Sequence, residues 1–201
     1  MKKIVSICAL VAGVTINGVV SATPIINNVG ITNPDQTITF SEQSFATGTP
    51  ITNQFSSYGV TFSPGMWYNV QPVFFPTDFL ASFDLRGSNN NVSILFGADV
   101  TAAALALQSN PLSTTFTALN NGSVVEAFTT PTALSFLPDL SHASDFYGFE
   151  GIIFDELRIA NSEQIFQIDN IQLRSVPEPA TLALFGLGLA GLGFARRKKS
   201  A

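Results

Sequence analysis

Short runs in which apolar and polar residues alternate, separated by clusters of turn residues, dominate the middle of the chain. Residues 58–62 and 92–96 each carry apolar side chains at every second position. A period of two is typical of β-strands that bury one face. Since asparagine, proline and glycine interrupt these runs at short intervals, the pattern predicts an all-β sandwich.

A hairpin and the last two strands can be located from the same pattern. The runs Thr114–Leu119 and Ser123–Phe128 flank Asn121-Gly122, a dipeptide that supplies the positive φ angles of a tight hairpin turn. Ile152–Ile159 and Ile165–Leu173 are predicted as the final strands.

One segment fits two kinds of secondary structure. Residues 101–108 are rich in alanine and leucine, which favours a helix by propensity. Ala103, Leu105 and Leu107 also fit a period of two. Because an isolated short helix nucleates poorly and the neighbouring segments are predicted as strands, we predict a strand here.

The N-terminus has the features of a secretory signal peptide. Lys2 and Lys3 precede an apolar run that ends at Val20, and Ser21-Ala22 offers small residues for cleavage. This arrangement predicts a signal peptide over residues 1–22. An uncleaved anchor is the alternative, which the short, glycine-interrupted run disfavours. The only cysteine, Cys8, lies in this segment, so the exported chain can form no disulfide and no cysteine-ligated metal site.

The C-terminus contains a short apolar run between a proline motif and a basic cluster. Residues 180–195 are apolar, and as a helix these sixteen residues would span about 24 Å. A hydrocarbon core is about 30 Å thick, and snorkelling basic side chains can cover the difference. The basic residues predict a cytoplasmic end and an exported remainder; they disfavour the alternative of a soluble core helix. The flanking residues are Pro177, Glu178 and Pro179 before the run, and Arg196, Arg197, Lys198 and Lys199 after it.

Together these features resemble the PEP-CTERM sorting signal of exported proteins in Gram-negative bacteria that make exopolysaccharide. The resemblance covers residues 176–201, with the motif at 176–179, the membrane span at 180–195 and the basic cluster at 196–199. It implies processing near the tripeptide by an exosortase, a transpeptidase-like membrane enzyme. The protein is then expected to be anchored in the inner membrane transiently, before it reaches the cell surface or the extracellular matrix.

The residues between the two ends are strongly acidic. Residues 23–176 contain thirteen acidic side chains, three arginines and no lysine, which gives a formal charge of −10. Binding to nucleic acid needs clustered lysine and arginine and is therefore disfavoured. Binding to an anionic membrane surface is disfavoured for the same reason.

This middle region resembles the ectodomains of other PEP-CTERM proteins. The resemblance lies in three stretches between Thr37 and Phe62, and at the end in residues 146–149 and 166–173. The ending is also similar to the last strand of jelly-roll carbohydrate-binding modules. The resemblance implies a two-sheet jelly-roll sandwich over residues 36–175, with its first and last strands close together and no catalytic set. Residues 23–35 are expected to be a loosely ordered leader.

The same resemblance implies a structural calcium ion. In similar modules the ion joins an acid of the first strand to an acid of the last, and the corresponding residues are Glu42 and Asp169. Calcium takes roughly six to eight oxygen ligands, which acidic loops and carbonyl groups can supply. The alternative, which the residues favour, is that Asp169 caps or hydrogen-bonds a neighbouring loop.

Aromatic residues offer a candidate sugar-binding site. Trp67, the only tryptophan, and Tyr68 follow a proline-glycine turn. Exposed rings stack on the C–H faces of sugars, and Asn69 or Arg86 would form hydrogen bonds with the sugar hydroxyl groups. A lone tryptophan in an all-β chain is more often part of the core, which is the alternative.

Catalytic chemistry has little support in the sequence. His142 is the only histidine and lies in a turn-like segment, and the adjacent Asp155 and Glu156 point to opposite faces of a strand. We therefore expect a non-catalytic surface or matrix protein that associates with exopolysaccharide. The alternatives are a structural or adhesive biofilm protein with protein partners and, third, a secreted glycan hydrolase.

Overall fold

The computed structural model describes residues 22–70, 78–84, 87–88, 91–109, 113–130, 145–161 and 166–176. The predicted signal peptide, apart from Ala22, lies outside these residues, and so does the chain from residue 177 onward. Arg86 and His142 lie outside them too.

Strands account for nearly all of the regular structure in the described residues, which confirms the all-β prediction. A 3-10 turn at Ser56–Tyr58 separates two of them. In chain order the strands are β1 (Thr23–Asn27), β2 (Gln36–Ile38), β3 (Pro50–Ile51), β4 (Val60–Phe62), β5 (Met66–Asn69), β6 (Phe79–Ala81), β7 (Phe83–Asp84), β8 (Gly87–Ser88), β9 (Asn91–Ser109), β10 (Thr114–Asn120), β11 (Ser123–Thr129), β12 (Phe146–Asn161) and β13 (Phe166–Ser175).

Hydrogen bonds join eleven of these strands into one antiparallel sheet, whereas β7 and β8 pair with each other. The main path of the sheet is β11-β10-β12-β9-β13-β6-β5-β3. Off this path, β1 pairs with β12, β2 with β13 and β4 with β9. The eleven strands therefore share one continuous hydrogen-bond network, where the sequence predicted a two-sheet sandwich.

The long strands β9 and β12 lie side by side in the middle of the sheet order and pair along two separate stretches. Residues 156–160 of β12 pair with 91–95 of β9, and residues 146–150 pair with 102–106. The register shifts on both sides of Phe154. Bulges of this kind let a strand bend and continue from one layer into another.

The bend divides the sheet into two parts. The hairpin half contains β4, β10 and β11 with residues 91–96 of β9 and 156–161 of β12. The terminal half contains β1, β2, β3, β5, β6 and β13 with residues 102–109 of β9 and 146–150 of β12.

Aromatic rings pack the two halves against each other. Phe116 of the hairpin half stacks on Tyr147 of the terminal half, with ring centroids 5.5 Å apart. Phe128 meets Phe149 edge to face at 5.1 Å. Since neither pair is joined by register in the sheet, these contacts connect one layer to the other. The main apolar core lies between the halves.

A second, smaller core lies on the opposite face of β9. Ala102, Ala104 and Ala106 are fully buried there, and Ile25 of β1 packs in the same cluster. β1 pairs residue by residue with β12, from Thr23 opposite Glu150 to Asn27 opposite Phe146. The expectation of a loosely ordered leader over residues 23–35 is therefore wrong. The edge of β12 offers backbone partners and the alanines leave room for Ile25, and neither feature is visible in the local sequence.

Several local predictions are confirmed. Asn121 and Gly122 form the hairpin turn with φ angles of 49° and 76°, between β10 and β11. Residues 101–108 are strand within β9, with Ala103, Leu105 and Leu107 in the main core. β2 pairs with β13, so the first predicted strand of the ectodomain lies beside its last.

Candidate functional site

The predicted sugar platform lies on β5, where successive side chains point to opposite faces of the sheet. Met66 and Tyr68 are buried, whereas Trp67 and Asn69 are half-buried. Tyr68 has no exposed surface. The prediction that Trp67 and Tyr68 form one exposed pair is therefore wrong, because adjacent residues of a strand cannot share a face.

Tyr68 is instead a buried polar anchor. Its hydroxyl oxygen lies 3.0 Å from the carbonyl oxygen of Gln43 and 3.3 Å from that of Phe40, and the hydroxyl donates to the carboxylate of Asp78. Burial, followed by the hydrogen bond and charge of Asp78, raises the pKa of Tyr68 far above its usual range. The ring of Phe45 packs against it edge to face at 5.3 Å. Tyr68 thus ties the loop after β2 to the inner face of β5.

Trp67 and Asn69 remain together on the other face of β5. Trp67 lies opposite Pro50 of β3 and Ala81 of β6, and Asn69 lies opposite Phe79. Trp67 is half-buried at this position and so keeps part of its surface accessible. The third predicted partner, Arg86, lies outside the described residues.

The two predicted calcium ligands have different surroundings. Glu42 is exposed, and its Oε1 accepts hydrogen bonds from the backbone N–H of Thr39 at 2.7 Å and from its hydroxyl at 3.0 Å. Asp169 has no exposed surface, and its Oδ1 accepts from the N–H of Asn170. Among the described residues there is no group of three or more histidine, cysteine, aspartate or glutamate side chains that could hold a metal ion.

Asp155 and Glu156 each have partners of their own. Both carboxylate oxygens of Asp155 accept from the N–H of Asn121 in the hairpin turn, at 3.1 and 3.0 Å. Glu156 accepts from Ser93 Oγ at 2.5 Å and forms an ion pair with Arg158 at 2.8 Å. The two carboxylates therefore hold the bend and the hairpin in place.

A shallow apolar depression lies at the bend, and sequence analysis missed it. It encloses about 390 Å³. Val125 and Ile153 on its rim are 41% and 48% exposed. We call this surface the corner patch; its lining residues are Thr101, Val125, Gly151, Ile152 and Ile153. A signal was present in the sequence, since the adjacent Ile152 and Ile153 break the alternation of β12.

Bulges create the corner patch. Residues 151–153 have no register partner in β9, and Gly151 has a φ angle of 81°. The register of the hairpin also shifts, between Ala118 and Leu119, which leaves Val125 without a register partner in β10. Bulges redirect side chains in this way.

The last strand ends beside the corner patch. The hydroxyl of Thr101 lies 3.2 Å from the carbonyl oxygen of Arg174 and 3.3 Å from that of Ser175. The N–H of Val176 donates to the carbonyl of Asp99 at 3.4 Å. The chain therefore leaves the described structure at this corner.

Residues 175–199 match the family model described as the PEP-CTERM protein-sorting motif. No curated protein and no solved structure gives a significant match. The motif implies an exported protein that is anchored in the membrane until an exosortase processes it. The matched region contains the predicted sorting residues, all outside the described residues: Pro177, Glu178, Pro179, Arg196, Arg197, Lys198 and Lys199.

The membrane span predicted at residues 180–195 also lies outside the described residues. Within the described ranges, no helix has both the length and the apolar character that a membrane crossing requires.

Proposed function

We propose that this exported protein delivers a non-catalytic, jelly-roll-like β-sandwich to the cell surface or the extracellular matrix, where the sandwich associates with exopolysaccharide. The observation that carries the proposal is the position of the sorting motif. It begins at Ser175, the last residue of β13, so the folded sheet is the cargo that sorting delivers.

The jelly-roll-like assignment rests on the bent sheet. Its two halves enclose the main core, and β2, the first strand that the sequence predicted for the ectodomain, pairs with the last strand, β13. Strands that continue from one layer into the other through bulges are compatible with a sandwich.

The association with polysaccharide would use the outer face of β5. Trp67 and Asn69 are two residues apart and so share that face, with an indole surface beside an amide. An aromatic face with a neighbouring amide suits a sugar ring, which has apolar C–H faces and polar hydroxyl groups. The non-catalytic assignment agrees with the engagement of Asp155 and Glu156 in structural hydrogen bonds.

Titration of the exported protein with exopolysaccharide from its own host tests this proposal. Since Trp67 is the only tryptophan, its fluorescence reports on this face alone. We expect a saturable change in emission, and loss of co-sedimentation with the polysaccharide for Trp67→Ala. Val70→Ala removes another partly exposed apolar side chain, at 45% exposure, and is the matched control. Equal retention of both variants would contradict the proposed site.

A structural or adhesive role with protein partners is the second candidate, and one observation favours it. Among the described strands, β11 pairs with β10 alone, and most of its residues are exposed, including Val124 at 64%. An open edge strand can pair with another chain. Binding to a glycan array without self-association favours the first candidate, whereas concentration-dependent assembly that Val124→Lys abolishes favours the second.

A further inference from the structure

We propose that, while the precursor is anchored, the corner patch rests on the lipid surface of the membrane that holds it. The proposal depends on the membrane anchoring that the sorting motif implies. It adds a lipid-facing surface on the ectodomain, defined by Val125 and Ile153 and by the bulge in which each of them lies.

The first argument is the place where the chain leaves the structure. Thr101, which lines the patch, lies within hydrogen-bond distance of the last carbonyl groups of β13, and Val176 is held by Asp99. The patch and the exit point are therefore neighbours on one corner of the sheet.

The second argument is the length of the tether. Only residues 177–179 separate Val176 from the apolar run that begins at Ala180. Four Cα–Cα steps span at most about 14 Å when fully extended. The corner of the domain that carries the patch must therefore stay close to the bilayer surface whenever residues 180–195 are inserted.

The third argument is the chemistry of the patch. Its rim consists of aliphatic side chains with 41% and 48% of their surface exposed, and the nearby charged side chains are mainly acidic: Asp99 is exposed, and Glu150 is paired with Arg174 at 3.6 Å. Such surroundings do not attract anionic headgroups, so the contact would be apolar and would not require anionic lipid. A patch of this size binds lipid only weakly by itself. The short tether keeps its effective concentration at the bilayer surface high and so supports the contact.

Fluorescence quenching on the full chain tests the proposal. Cys8 is replaced by serine, and a single cysteine at Val125→Cys carries an environment-sensitive dye. The precursor is reconstituted into phosphatidylcholine vesicles that contain a lipid with a spin-label quencher. Val70→Cys is the matched control, because Val70 is 45% exposed and follows β5, the next-to-last strand of the main sheet path, whereas Val125 belongs to β11, the first strand of that path.

We expect quenching at position 125 to exceed that at position 70 by roughly threefold or more. A flexible insert of about 30 residues after Val176 gives a root-mean-square tether length of roughly 30 Å and should reduce the difference, because it dilutes the domain away from the surface. Equal quenching at both positions would overturn the proposal.

Two other occupants of the patch give different signals. If residues 180–195 covered the patch, the emission of the dye at position 125 would shift to shorter wavelength without quenching by lipid. A second copy of the chain would cause the same shift, and the shift would then also depend on protein concentration. Either result overturns the lipid contact. Flotation of the precursor with the vesicles is measured in parallel, and failure to float contradicts the anchoring itself.

Discussion

Phe116 and Tyr147 stack with their ring planes 13° apart, although they have no register relation in the sheet. Phe116 lies opposite Ile159 in the half of β12 that follows the bend, and Tyr147 belongs to the half that precedes it. The contact therefore exists only because β12 bends at residues 151–155. This stacked pair therefore shows that the two halves of the sheet pack face to face.

Truncation of Phe116 should open a cavity between the halves. Its side chain has no exposed surface, and Phe→Ala changes at such sites cost about 3–5 kcal/mol. We expect Phe116→Ala to lower the free energy of unfolding of the exported protein by that amount in urea titrations. Val124→Ala, on the neighbouring strand at 64% exposure, should change it by less than about 0.5 kcal/mol.

A second prediction concerns the close approach of β12 and β9. A Cβ atom on Gly148 would lie 1.9 Å from the carbonyl oxygen of Ala103 and 2.7 Å from the Cα of Ala104. Since both contacts are with backbone, the strands themselves would have to separate, and we expect Gly148→Ala to destabilise the fold by more than about 3 kcal/mol.

Gly97→Ala is the control for Gly148→Ala. A Cβ there would meet its nearest neighbour, the Cα of Gly59, at 3.6 Å, an ordinary contact. Thermal unfolding of both variants separates the steric effect from the general effect of replacing a strand glycine. Comparable melting temperatures for the two variants would show that β9 and β12 are less close than described.

The sequence predicted what depends on local chemistry. The Asn121-Gly122 turn and the strand at residues 101–108 follow from conformational preference and side-chain period, and both are present. The division of the sheet into two halves could not be predicted locally, because the bulges at residues 151–153 and at Val125 are set by long-range pairing. In the candidate sugar site no strand was predicted at residues 66–69, and which of Trp67 and Tyr68 faces inward depends on the partners of β5.

A third prediction concerns alkaline pH. Burial and then the charge of Asp145 raise the pKa of Tyr147 to about 12, and the pKa of Tyr68 is raised further. In the unfolded chain tyrosine loses its proton near pH 10. Between that pH and the folded-state pKa values, the unfolded state binds fewer protons than the folded state, so stability must fall as pH rises.

We therefore expect the urea midpoint to be insensitive to these two groups below about pH 9 and to fall from about pH 10 upward. Absorbance of tyrosinate follows the ionisation of all three tyrosines, and the variants assign it to individual groups. The variants Tyr147→Phe and Tyr68→Phe should each weaken the alkaline loss, although Tyr68→Phe also removes the hydrogen bond to Asp78. A midpoint that stays constant to pH 12 in the parent protein would contradict the burial of both hydroxyl groups.

The last prediction concerns the sorting motif, which begins at Ser175, where β13 ends. Replacement of Pro177, Glu178 and Pro179 by alanine should block processing by the exosortase while leaving the sheet intact, because all three residues lie beyond the last strand. Mass spectrometry of the parent protein from outside the cell should find no peptide that contains Arg196–Lys199. The alanine variant should stay in the membrane fraction with those residues still attached.

Ser200→Ala, outside both the tripeptide and the basic cluster, should be processed like the parent. Release of the alanine variant at the parent's rate would show that recognition does not involve the tripeptide, whereas extracellular parent protein that retains its basic cluster would show that the apolar segment is not removed.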